Sequence, residues 1–181
     1  MPRFIPLWRQ VVPIVLLVTL PACGLRTSRY TTSTLVNADA DGIYTNARGT
    51  LSTNNGAGDV SCSVAALARN GDVTTFSTGN GIVNSQADFN TIIGLAGFTK
   101  VVNQINWCGS IAPNWIGCSP TPGTSLLVVR YTSNQEGILW AHEYGHTRGL
   151  GHRNDSDAIM NATISTNRTK VNQTECDSLR Q

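Results

Sequence analysis

The sequence is short of charge. Asp, Glu, Lys and Arg make up 13% of its 181 residues, and only two of the basic ones, Lys100 and Lys170, are lysines. No run of Lys or Arg occurs, which argues against a basic face and so against nucleic acid as a partner. Long hydrophobic runs are missing too. The best stretch, Val11 to Leu20, has about ten residues, half of the roughly 20 that span a bilayer. No Cys-x-x-Cys pair exists among the five cysteines, so a zinc site built from paired thiolates is disfavoured. Apolar residues still reach 40%, too many for a disordered chain. The length suits one domain and is short for two.

What is present begins with an export signal. Arg3 and Arg9 give a positive start, and Val11–Leu20 an apolar centre, the layout of a secretory leader over residues 1–22. Pro2, Pro6, Pro13 and Pro21 speak against a buried N-terminal element. Leu20-Pro21-Ala22-Cys23 resembles a bacterial lipobox, with a mild departure at Pro21. Cys23 would then carry lipid and hold the chain at a membrane of the cell envelope; free secretion after cleavage near Ala22 is the alternative. Without Arg3 and Arg9 the basic and acidic residues are equal, eleven of each. Residues 24–34 are hydroxyl-rich and read, with Cys23, as an anchor and polar tether over 23–34. A single domain over 35–181 follows.

An odd number of cysteines is awkward in an oxidising compartment. Assigning Cys23 to lipid leaves Cys62, Cys108, Cys118 and Cys176, which permit three pairings. The preferred one is Cys108–Cys118, closing a loop rich in Gly, Pro and Trp, with Cys62–Cys176 joining the front of the domain to its tail.

Residues 35–81 alternate short apolar pieces with Asn/Gly/Asp turns and suggest short strands or hairpins. Val64–Arg69 reads alternatively as a helical turn or two. Residues 86–95 are ambiguous between helix and loop. Residues 101–107 read as a strand into Cys108. The stretch 108–123 reads as a loop, with Trp107 and Trp115 as exposed-type aromatics. Ser125–Tyr131 is the clearest strand, apolar enough to be covered on both faces. Ser133-Asn134-Gln135-Glu136 matches a capping box and predicts a helix running into the histidines, ended by a left-handed Gly149. Asn172–Glu175 predicts a second capped helix, to about Arg180.

All three histidines fall in His142-Glu143-Tyr144-Gly145-His146-Thr147-Arg148-Gly149-Leu150-Gly151-His152. On a helix, residues four apart share a face, with Cβ atoms about 5–6 Å apart. His142 and His146 can therefore bind one zinc ion at about 2.0–2.1 Å. Gly149 lets the chain turn so that His152 returns as third ligand. Three protein ligands leave a fourth position open, the arrangement of a catalytic rather than a structural zinc. Glu143, rotated off the ligand face, is placed as general base to a zinc-activated water.

This pattern resembles the metzincin clan of zinc peptidases, most closely the matrixins, over roughly Ser125–Met160. The resemblance implies an α+β fold: a mixed twisted sheet, an active-site helix, a zinc cleft, and a small C-terminal subdomain with a methionine turn and a short terminal helix. The upper subdomain would run to about 149 and the lower over 150–181. The resemblance makes Met160, eight residues after His152, the methionine beneath the metal. It implies a zinc endopeptidase acting as a monomer on protein or peptide substrate. Arg153 and Ala162 depart from the residues that the clan's branches carry at those places. The rival reading is a surface binding or adhesive module with a largely structural metal, using Trp107 and Trp115; a glutamate beside the ligand has no purpose there. A weaker third reading is a zinc hydrolase of non-peptide amides.

Overall fold

Four apolar residues at 126–129 form the strand on which two layers meet. The computed structural model describes residues 24–181, so the leader and Cys23 lie outside the described residues. Along the chain come β1 (Thr27–Tyr30), α1 (Asn37–Ser52), β2 (Thr74–Phe76), β3 (Ile82–Val83), α2 (Gln86–Ile93), β4 (Thr99–Val102), β5 (Gln104–Trp107), β6 (Ile111–Trp115), β7 (Gly117–Cys118), β8 (Leu126–Val129), α3 (Glu136–Thr147) and α4 (Gln173–Leu179). A five-stranded sheet has the order β2-β1-β4-β8-β7, and a three-stranded sheet the order β3-β5-β6. In the larger sheet only the edge strand β7 is antiparallel, to β8. This is the α+β, mixed-sheet architecture expected.

Strand alternation sorts the two cores. Leu126 and Val128 of β8 and Val101 of β4 join α1 and α3 in the first, with Tyr44, Leu51, Leu139, Trp140 and Tyr144. Leu127 and Val102 point the other way, into a second core with Phe89, Ile92, Ile105 and Cys118. Both faces of β8 are covered, as its apolar run predicts. Gly137 sits where a Cβ would stand 2.8 Å from Asn46 Cβ and 3.0 Å from Ala47 N, so the missing side chain lets α3 lie close on α1.

Residues 24–34 are not a tether. β1 is an interior strand between β2 and β4, and Thr27 and Ser28 are buried. The Tyr44 hydroxyl bonds Thr27 Oγ1 at 3.0 Å and Thr99 Oγ1 at 2.9 Å. A hydroxyl satisfied in this way can be buried at little cost. The folded domain thus begins about ten residues before the expected boundary at 35, with Leu25 already bridged to Arg69.

The hairpins expected within 35–81 give way, at their start, to the 16-residue helix α1. Its buried residues Ala40, Ile43, Tyr44, Ala47 and Leu51 keep helical spacing, but two of them are alanines and the intervening Asn, Asp, Thr and Gly are weak helix formers. Packing on α3 outweighs that propensity. Residues 64–69 form a turn rather than a helix. Residues 86–93 resolve as α2, capped by Ser85 accepting from Asp88 N at 3.2 Å. The single strand expected at 101–107 divides at Asn103 into β4 and β5, which belong to different sheets. The supposed loop 108–123 contains β6 and β7.

The capping box at 133–136 does not form. Glu136 turns to Arg130 instead, Nε to Oε1 at 2.7 Å, and the Thr132 carbonyl accepts from the amides of Gln135 and Glu136. Arg130 also meets Asp39 at 3.3 Å, joining the starts of α1 and α3. The second expected cap is present: Asn172 accepts from Glu175 N at 2.9 Å, and Glu175 accepts from Asn172 N at 2.9 Å.

Lys100 is wholly buried on β4. Its ammonium donates to Ser125 Oγ at 2.7 Å and to the Gly97 carbonyl. Burial pushes its pKa down to about 8 from 10.5. Below pH 8 folded and unfolded chains both hold the proton, and the burial cost is complete. Between the folded and unfolded values the folded chain releases it first, so stability rises with pH. Lys100→Met is expected to stabilise the chain at pH 7 by on the order of 1–2 kcal/mol. It should also flatten the rise in urea midpoint between pH 7.5 and 9.5; an unchanged slope would reject this account of Lys100.

Candidate metal centre

α3 carries His142, Glu143 and His146, the first two buried. The helix ends as the sequence requires. Gly149 has φ +84°, a conformation cheap only for glycine. Its amide reaches the His146 carbonyl at 2.9 Å and the Leu150 amide the Gly145 carbonyl at 3.0 Å, the paired closure of a Schellman motif. The chain then turns back and brings His152 to the other two histidines.

The three rings converge. His146 Nε2 lies 3.0 Å from His142 Nε2 and 3.2 Å from His152 Nε2, and the candidate ligand atoms all fall within 4.8 Å of one another. A tetrahedral zinc at about 2.0–2.1 Å from each nitrogen requires them about 3.3 Å apart, so the donor set fits. Tautomers fit as well. His142 Nδ1 is 2.8 Å from the Ile159 carbonyl and His146 Nδ1 is 2.7 Å from the Leu150 carbonyl. A carbonyl can only accept, so each Nδ1 holds the proton and each Nε2 keeps its lone pair for metal. Burial lowers the pKa of both imidazoles, that of His142 to about 4, which favours the neutral form that ligation needs.

Met160 is buried directly under α3. A Cβ on Gly145 would come within 2.5 Å of its sulfur, so that glycine makes room for the methionine. The Ile159 carbonyl that orients His142 belongs to the same turn, and Met160 O accepts from Arg153 N at 2.8 Å. Arg153 faces away from the metal centre. It pairs with Glu175 at 3.0 Å and Asp155 at 3.3 Å and donates to the Lys170 carbonyl at 3.0 Å, tying the segment after His152 to α4. Ala162 lies on the cleft wall.

Glu143 projects from α3 toward the edge strand β7. Ser119 Oγ donates to its Oε2 at 2.6 Å. Burial pushes its pKa up to about 8, and the Ser119 bond opposes this. Neither Ser119 nor Gly117, against which the carboxylate lies, was legible as a site residue. The cleft has a volume of about 510 Å³ and is walled by Trp115, Ile116, Tyr131, Leu139, Ala162 and Ile164 among others; among the described residues that line it, the ionisable side chains are Tyr131, Glu143 and the three histidines. Trp107 is packed on Phe89, ring centroids 5.5 Å apart. The exposed tryptophan pair of the adhesive reading is therefore not there.

Both expected disulfides are formed, Cys62–Cys176 and Cys108–Cys118. The second fastens β7 to the end of β5. The first joins the chain after α1 to α4, beneath α3.

A family model described as Matrixin matches residues 68–180, more than half of the chain. No curated protein matches it. Among solved structures, archaemetzincin from Methanopyrus kandleri superposes with a TM-score of 0.56 at 14% identity, covering 90% of this chain and 97% of that one. At that identity the likeness concerns the fold.

Proposed function

The chain belongs to the Matrixin family, metzincin-clan zinc metallopeptidases, and on that premise we propose that it is an endopeptidase whose zinc is held by His142, His146 and His152 and whose general base is Glu143. One observation carries the proposal: three Nε2 atoms converge in the same cleft as a buried carboxylate that stands apart from them. Zinc bound there supplies Lewis-acid polarisation of a water and of the scissile carbonyl. The Ile159 and Leu150 carbonyls keep the two helical imidazoles turned to the cleft. Glu143 accepts the proton of the attacking water and delivers it to the departing amine nitrogen. Met160 supports the histidines from below. Among the described residues β7 has one unpaired edge, and an extended peptide can add to such an edge through main-chain hydrogen bonds. A substrate laid along that edge would present an interior peptide bond to the cleft, hence an endopeptidase.

The test is to incubate the purified chain with zinc and a diverse peptide library and map the cuts by mass spectrometry. Internal cuts that vanish with chelator and return with added zinc are expected. Cutting indifferent to chelator, or restricted to terminal residues, would reject the reading.

The export signal supports an envelope-anchored lipoprotein with lipid on Cys23. Because β1 begins at Thr27, few residues would separate lipid from sheet, and the domain would sit close to the membrane. Cys23→Ser is expected to move the protein from the detergent phase to the aqueous phase in Triton X-114 partitioning; identical partitioning of the two forms would sink the lipoprotein assignment.

A further inference from the structure

A glutamate side chain on a helix surface has three rotatable bonds and no reason to hold one orientation. That of Glu143 is held by a residue 24 positions away in sequence, directly after β7. The Ser119 hydroxyl donates to Oε2 at 2.6 Å, at the short end for an O–H···O hydrogen bond. From β7 itself Gly117 supplies space. A Cβ there would stand 2.2 Å from Glu143 Oε1, 2.6 Å from Cδ and 2.7 Å from Cγ, so the side chain lies where any residue but glycine would put its own. Gly117 in β7 and Ser119 just after it both meet the Glu143 side chain. Cys118, between them, is buried in the second core and bonded to Cys108. The strand is further fixed by its register, Gly117 with Val128 and Cys118 with Leu127. Gly-Cys-Ser thus gives room, a fastening from behind and a hydrogen bond, in that order. Among the described residues Oε1 accepts no hydrogen bond, which leaves it for the water.

We infer that Ser119 is a positioning residue for Glu143: its hydroxyl, on the residue that directly follows the disulfide-fastened strand β7 and admitted by Gly117, holds one carboxylate oxygen so that the other faces the reacting water. The inference rests on Glu143 being the general base. Ser119 acts through Glu143 and does not reach the metal, so its loss lowers kcat and spares both KM and zinc content.

The experiment compares the full chain with Ser119→Ala, Ser119→Thr and Gly117→Ala. It measures kcat and KM on a library-derived peptide, zinc per chain, and the Glu143 conformation in crystals of the metal-free proteins. Ser119→Ala should lose about tenfold to a hundredfold in kcat, the range for a hydrogen bond to a charged group, with KM within about twofold and zinc unchanged. Ser119→Thr restores the donor and most of the rate. Gly117→Ala displaces a flexible side chain rather than backbone, so it should fold and lose more. The crystals should show one carboxylate orientation in wild type and a turned or divided one in Ser119→Ala. An alanine variant with full kcat and an unmoved carboxylate overturns the inference, as does a threonine variant no better than alanine, or rate loss that merely follows zinc loss. If wild type cuts no peptide, the peptidase reading fails, and the crystals still decide whether Ser119 holds Glu143.

Discussion

Glu143→Gln is expected to fold, to bind zinc as wild type does, and to lose about 10²- to 10⁴-fold of the peptide-cleaving rate, the usual contribution of a general acid–base. The substitution keeps the shape of the side chain. A glutamine oxygen can still accept from Ser119, and the space beside Gly117 is filled as before. The three histidines lose none of their partners, since His142 and His146 are oriented by backbone carbonyls rather than by Glu143. What goes is the capacity to take a proton from water and give it to an amine. Kinetics on a single peptide, with zinc measured in the same samples, separate this from metal loss. Glutamine at near wild-type rate would remove Glu143 from the mechanism.

The largest effect on stability is expected from the bond between Cys62 and Cys176. Their separation is 114 residues, and in the chain-entropy account a loop of that length is worth about 4–5 kcal/mol. Replacing both by alanine avoids a lone buried thiol. Loss of about 2–5 kcal/mol and a fall in Tm of about 5–15 °C should follow. Cys62 is held to the end of α1 through the Leu51 carbonyl at 2.8 Å, and Cys176 lies in α4. The pair therefore keeps α4 under α3, where the Tyr144 hydroxyl reaches the Leu179 carbonyl at 3.4 Å. The Cys108–Cys118 separation is ten residues, and its removal should cost no more than about 3 kcal/mol. Thermal unfolding of the two double variants ranks them. A smaller loss from Cys62/Cys176 than from Cys108/Cys118 would contradict this assignment of roles.

The convergence of the three histidines was readable because its parts are local. A four-residue spacing, a glycine that must be left-handed and a histidine three positions later are consequences of helix geometry alone. The second cap, at Asn172, was readable for the same reason. The first was misread because Arg130, three residues upstream of the box, competes for Glu136. β1 was hidden by its composition: threonine and serine look like tether until the Tyr44 hydroxyl and the Ala96 carbonyl, distant in sequence, are there to satisfy Thr27 and Ser28. α1 was hidden because two of its five buried residues are alanine. Ser119 was not readable at all, since only the register of β7 on β8 places it beside Glu143. Residues distant in sequence and joined through the sheet are the part that the order of amino acids does not display.

The most direct test of the account is a zinc titration of metal-free chain that follows bound metal and cleavage of one peptide together. Activity should rise in proportion to zinc, stop at one equivalent, and be absent from His152→Ala, which keeps α3 intact. Cleavage before zinc is added, or saturation at a stoichiometry other than one, would contradict a single three-histidine catalytic zinc.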